Sequence, residues 1–298
     1  MLPPPPPPRQ SFPDGDAAIR STDDDAAHAR VSAVRKGYLK DPYIQYLVPR
    51  SHLIPTRPPL INVGTYIRSE VIDKLMAKWL DSLEESSQAQ IDPPARGKVI
   101  KWIEIDFAEA VAKKALAIRK HSALSEAVGP DLAIEKGGTV LRSSVFNMLA
   151  VDLRGEASKA LQPLEALLST EQPILLLAEW DTFGRMMREN LKVRRKWALL
   201  SLELIPHLKI RNIDLPGVDD SSIKQTLESH LRNVGLGLAS SMTLKEARNS
   251  CFPDVELERL SRLELLDEIE ELDLVLGHYV VTWGSTNVTP DIWKLNPG

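Results

Sequence analysis

Two acids spaced two apart, Glu104 and Asp106, sit inside the apolar run Lys101-Trp102-Ile103-Glu104-Ile105-Asp106-Phe107. Successive side chains alternate along a strand, so both carboxylates fall on one face. A mostly apolar strand that ends in an acid and leads at once into a helical run is a βα unit. In open α/β sheets the carboxyl ends of the strands hold the ligand, and an acid there typically accepts ribose hydroxyls. Two further strand-like segments end the same way, one at Asp152 and one at Glu179. Three strand-end acids at one sheet edge suit a polar, nucleotide-type cofactor lying across that edge.

The elements that must position these acids are read from periodicity. Residues 99–107, 145–153 and 173–180 are expected to be buried strands, with helices at 108–125 and 157–168 between them. Strands alternating with helices imply a parallel, doubly wound sheet with helices on both faces. Upstream, residues 29–39 read as a helix stopped by Asp41-Pro42. Residues 64–83 read as a long helix with an apolar stripe through Ile67, Val71, Ile72, Leu75 and Leu80. Downstream, Leu257, Leu260, Leu263, Leu266, Ile269, Leu272 and Leu276 recur every three or four residues, which predicts an amphipathic helix over 257–276. A closing strand at 278–283 would end the sheet in an antiparallel or edge pair.

The chain has 298 residues, 43% hydrophobic and 26% charged, which is ordinary for a globular protein. Its net charge of -4 gives no footprint for nucleic acid. The single cysteine, Cys251, excludes an internal disulfide framework, and none of the six histidines has metal-ligand spacing. No apolar run approaches the ~20 residues of a membrane span, and the N-terminal residues lack a signal-peptide core. A soluble, cytoplasmic protein is expected. Residues 1–27, with the proline run Pro3 to Pro8 and the acids Asp23, Asp24 and Asp25, read as a disordered tail before one domain over 28–298.

The chain resembles the leucine carboxyl methyltransferases, most of all their fungal members. The resemblance runs in order from about residue 29 to residue 283. It is carried by Asp41-Pro42-Tyr43-Ile44-Gln45 and Ile61-Asn62-Val63-Gly64-Thr65-Tyr66-Ile67-Arg68, then by Ile103-Glu104-Ile105-Asp106-Phe107, Val151-Asp152-Leu153-Arg154 and Leu177-Ala178-Glu179. It continues through Phe183-Gly184-Arg185-Met186-Met187-Arg188-Glu189-Asn190-Leu191 and residues 263–272, and ends with His278-Tyr279 and Trp283.

The resemblance implies a Rossmann-like S-adenosyl-L-methionine-dependent methyltransferase that esterifies the C-terminal leucine carboxylate of the protein phosphatase 2A catalytic subunit. A monomer is expected. Carried over by motif, Arg68 pairs with the carboxylate of the cofactor's methionine part, and Arg30 lies where the family often has a lysine near that carboxylate. Asp106 holds the ribose hydroxyls, Asp152 and Leu153 frame the adenine, and Glu179 sits near the methionine amino group. No catalytic residue is implied, because a carboxylate is already ionised at neutral pH and needs no general base. On spacing alone, Arg68 reads rather as a helix-surface residue that caps or pairs with a neighbouring acid, and Asp106 or Asp152 could cap the next helix. Two rival functions are a non-catalytic remnant that still binds phosphatase and a relative of the wybutosine-type transfer-RNA methyltransferases.

Three departures from the family pattern bear on the fold. A glycine-rich strand-turn is expected before the Asp106 strand, yet Ile91 is followed by Asp92-Pro93-Pro94-Ala95-Arg96-Gly97-Lys98. Glu179-Trp180 runs directly into Asp181-Thr182-Phe183-Gly184, where relatives have a further helix and strand. Residues 193–208 look inserted, and Val193-Arg194-Arg195-Lys196-Trp197 has no evident counterpart. The expected sheet is therefore incomplete, with a central glycine-loop strand and a later strand missing.

Overall fold

Residues 15–87, 101–152, 159, 162–164, 166–168, 174–178, 197–204, 237–266 and 277–283 are described by the computed structural model of the chain. The fold is built from helices and mixed sheets, as the α/β reading expects.

The first element among the described residues is α1 (Gly15–Arg35), which takes in the second half of the segment read as a tail. α1 stops earlier than residue 39 because Gly37 adopts φ 83, a left-handed value open to glycine. The Gly37 N–H bonds the Val34 carbonyl and the Tyr38 N–H bonds the Ala33 carbonyl, closing the helix end. A single turn, α2 (Ile44–Leu47), leads through an extended segment to α3 (Pro59–Ser87). Pro59 suits the first helical position, where an N–H has no partner within the helix. The expected stripe of α3 is its buried face: Ile67, Val71 and Leu75 are at most 1% exposed. They pack with Ala33 of α1 and with the C-terminal helices described below.

β1 (Trp102–Asp106) leads into α4 (Ala108–Lys120) and α5 (Ser122–Val128), which divide the single helix expected at 108–125. The break is at His121, whose backbone is extended (φ -117, ψ 115) and whose ring lies 4.9 Å from that of Tyr46. A hairpin unforeseen in the sequence, β2 (Ala133–Glu135) and β3 (Val140–Arg142), turns through Lys136, Gly137 and Gly138, all at positive φ. β4 (Phe146–Ala150) then lies parallel to β1, with Glu104 opposite Met148 and Asp106 opposite Ala150, while β3 pairs antiparallel on its other side. The order of this first sheet is β1-β4-β3-β2. α4 packs Val111, Ala115 and Ile118 against Leu141 and Met148. Met148 and Ala150 pair with Glu104 and Asp106, so α4 covers the sheet face that carries both acids. The opposite face sets Ile105, Leu149 and Val151 against Leu164 and Leu167.

The second sheet has the order β5-β6-β8-β7. β5 (Ile174–Ala178) runs parallel to β6 (Trp197–Leu204), which comes from the segment read as inserted. Trp197 is opposite Ile174 on one side and Trp283 on the other, so that segment does have partners. β7 (Gly237–Thr243) runs into α6 (Leu244–Cys251), and α7 (Asp254–Leu263) follows. β8 (Gly277–Trp283) is antiparallel to both β6 and β7, the expected antiparallel finish.

The doubly wound order 3-2-1-4-5-6 accounts for the division into two sheets. In that order β1 and β4 would correspond to the second and third strands and β5 and β6 to the fourth and fifth, and a first strand would lie between β1 and β5, where the sequence reading expects the glycine-loop strand to be missing. Among the described residues no strand joins the two sheets.

The amphipathic pattern over 257–276 does not form one uninterrupted helix. α7 ends at Leu263, and Glu264 is extended at φ -151, ψ 142; residues 267–276 lie outside the described residues. The Glu264 carboxylate is drawn inward to Lys36 Nζ at 2.7 Å and to the Asn62 amide at 2.8 Å. Continuing the helix would pull it away from both. No helix among the described residues is long and apolar enough to cross a membrane.

Candidate functional site

Asp106 ends β1 and lines a cleft of about 190 Å³. β1 and α4 form one side of it, and α1 and α2 the other. Ile44, Leu47, Val48 and Val111 supply apolar walls, while Glu104 and Asp106 bring acid and Lys113 and Lys114 bring base. Asp106 Oδ1 accepts the Phe107 N–H at 2.7 Å. Phe107, rather than Asp106, occupies the N-cap position of α4. The positive end of that helix dipole therefore lies beside the Asp106 carboxylate.

The neighbouring charges are paired. Lys114 Nζ bonds both oxygens of Glu104, at 2.6 and 2.7 Å. Lys113 pairs with Asp24 of α1, and Arg57 pairs with Asp25 at 2.5 Å. These last two contacts lay the middle of α1 along the cleft, where Asp24, Ala27 and His28 line it. Nothing local in the sequence signals them, because they join segments 32 and 89 residues apart.

Asp152 is exposed, two residues beyond Ala150, and the Val151 N–H donates to the Asp106 carbonyl at 2.9 Å. Asp106 and Asp152 therefore stand at adjacent strand ends. Leu153 and Glu179 lie outside the described residues. Arg68 is half-buried on α3, next to the fully buried Ile67. Neither Arg68 nor Arg30 lines the cleft. Arg30 donates from Nε to Asp41 Oδ2 at 2.5 Å and from Nη1 to the Ser69 hydroxyl at 3.1 Å. Its guanidinium thus rests one residue from Arg68.

Asp41 also accepts the N–H groups of Tyr43 and Ile44, at 2.9 and 3.1 Å. Burial pushes its carboxyl up, but Arg30 and these two N–H bonds outweigh that, and the group sits below the usual aspartate value. Asp41, Ser69 and Lys114 were given no part in the site from the sequence, since each gains its part there from a residue on another element.

The residues present fit the sugar end of a nucleotide-type ligand. A half-buried carboxylate at a strand end accepts hydroxyls, and the apolar walls accept a flat ring. The cleft is smaller than the ~300–1,000 Å³ of typical small-molecule sites, so it suits only part of such a ligand.

No family model matches the chain. Curated relatives do. A protein of Cryptococcus neoformans var. neoformans serotype D (strain JEC21) named Leucine carboxyl methyltransferase 1 is 33% identical, covering 91% of this chain and 93% of the relative. Proteins of the same name are 28% identical in Bos taurus and 26% in Schizosaccharomyces pombe, each covering at least 90% of both chains. The Cryptococcus alignment spans 340 positions, more than the 298 residues of this chain, so the relative carries residues that this chain lacks. With a third of its residues identical over nearly the full length of both proteins, the chain belongs to the leucine carboxyl methyltransferase family of enzymes.

Proposed function

We propose that the chain uses S-adenosyl-L-methionine to methylate the C-terminal leucine carboxylate of the protein phosphatase 2A catalytic subunit, acting as a cytoplasmic monomer. The observation that carries this reading is the half-buried Asp106 at the end of β1, in an apolar-walled cleft of a chain from this family. Bound cofactor would supply a methyl group on an already activated sulfonium. Asp106 would accept the ribose hydroxyls, Asp152 and Leu153 would frame the adenine, and Glu179 would sit near the amino group. Arg68 and Arg30 would hold the methionine carboxylate, a pairing suited to the guanidinium fork. The substrate carboxylate is ionised at neutral pH, so the protein's task is to align it with the methyl group and to exclude water. Ile44, Leu47, Val48 and Val111 serve the second purpose.

A methyl-transfer assay with labelled cofactor and purified phosphatase catalytic subunit tests the proposal. Incorporation at the terminal leucine is expected, and none from a folded sample would overturn it. One observation favours the second reading, a phosphatase-binding form without activity: among the described residues no strand joins β1 and β5. Titration calorimetry with S-adenosyl-L-methionine separates the two. Saturable binding supports the enzyme, and silence with retained phosphatase binding supports the inactive form.

A further inference from the structure

We propose that Asp41 and Ser69 are positioning residues that fix the plane of the Arg30 guanidinium for a ligand carboxylate. This rests on the reading above, in which Arg30 meets the methionine end of the cofactor. Of the five N–H donors of an arginine, Arg30 uses one on Asp41 and one on Ser69. These two bonds anchor Nε and one hydrogen of Nη1, which fixes the plane and the direction of the remaining fork. The other Nη1 hydrogen and both Nη2 hydrogens stay available among the described residues, enough for a bidentate carboxylate contact.

The cradle joins three elements. Arg30 lies on α1, one turn beyond Ala27, which lines the cleft. Ser69 lies on α3 beside Arg68, and Ser69 Oγ is itself held to the Thr65 carbonyl at 2.9 Å. Asp41 has two separate tasks. Its Oδ1 holds the N–H groups that start α2, the apolar wall of the cleft, and its Oδ2 holds Arg30. A neutral asparagine can keep the first task but not the second, because its NH2 group would face the Arg30 N–H, donor against donor.

The test compares two probes by titration calorimetry on the full chain: S-adenosyl-L-methionine and 5′-methylthioadenosine, which lacks the amino-acid end. Asp41→Asn is expected to weaken S-adenosyl-L-methionine about tenfold and methylthioadenosine less than about twofold, as loss of a hydrogen bond to a charged group should. Ser69→Ala is expected to show the same selectivity at about threefold. In an Arg30→Lys background the effect of Asp41→Asn should shrink below about twofold, since an ammonium is a point charge with no plane to hold. Equal losses for both probes, or an undiminished loss in the Arg30→Lys background, would show that Asp41 only supports α2 and would overturn the proposal. If the unmodified chain binds neither probe, the cofactor reading falls and takes this proposal with it.

Discussion

At Asp106 a carboxylate, a helix N-terminus and an apolar wall meet, and each shapes what the side chain can bind. On the proposed cofactor reading, the Asp106→Asn variant keeps the shape but loses the charge that would strengthen bonds to ribose hydroxyls. Binding of S-adenosyl-L-methionine is expected to weaken about 10–100-fold in a calorimetric titration, with an unchanged far-ultraviolet spectrum. Glu70 is a different kind of residue. Burial, and then Asp73, push its carboxyl above the usual glutamate value. The fold therefore favours its protonated form, and the ionised form detracts from stability above the folded pKa. Glu70→Gln should raise the melting temperature at pH 7–8, with the gain vanishing as the pH falls to about 4; a gain that persists there would contradict this sign. At Glu256 the balance reverses. That carboxyl is held below its usual value chiefly by Arg259, and it accepts the Tyr66 hydroxyl at 2.5 Å, while burial and that bond push the tyrosine far above its ordinary value.

At the scale of elements, the end of α7 shows a side chain overriding a periodic pattern. Leucines at helical spacing continue past Leu263, but Glu264 leaves the helix to meet Lys36 and Asn62. Asn62 is fully buried and tied also to Ser32 at 2.7 Å and to the Arg57 carbonyl at 3.0 Å. Burial raises the Glu264 carboxyl, but Lys36, Asn62 and Tyr38 lower it further, so it sits below the usual glutamate value. The stability it contributes is present above about pH 4.3 and is lost as the pH falls through its lower folded value. Glu264→Gln should destabilise the protein by about 1 kcal/mol at pH 7, allowing for the partly exposed lysine. Urea unfolding at pH 7 and at about pH 3 checks this, because the difference between variant and parent should close at the lower pH.

At the scale of the whole molecule, the division into two sheets is the main departure from a doubly wound fold. β1 and β5 each pair on one side only among the described residues. A buried backbone group left unpaired costs about 1–3 kcal/mol, against a typical net stability of about 5–15 kcal/mol. Grafting a glycine-loop strand of the family type between residues 91 and 99 should supply both ladders. The urea midpoint and the slope of the transition should rise together, because more surface would unfold cooperatively. An unchanged midpoint would show that the present fold already satisfies those edges.

How much of this was legible in the sequence depended on how local the signal was. Alternation placed Glu104 and Asp106 on one face, and the face covered by α4 is that one. Helical spacing found Ile67, Val71 and Leu75, because a stripe of three needs only the helix itself to be read. The same reasoning located β1, β4, β5 and β8 and ran past the true ends of α1, α4 and α7. Those ends are set by the left-handed turn at Gly37, the extended His121 and the inward pull on Glu264.

By itself, then, the sequence determined β1 with Asp106 at its end, the strand two residues ahead of Asp152, the apolar stripe of α3 and the family, since each is written in neighbouring residues or in ordered motifs. Tertiary structure alone decided that Trp197–Leu204 pairs between β5 and β8, that α1 lies along the cleft, and that Arg30 rests on Asp41 and Ser69. Such pairings join side chains and strands far apart in the chain. Their free energy depends on the distances and burial that folding creates, which no local spacing encodes.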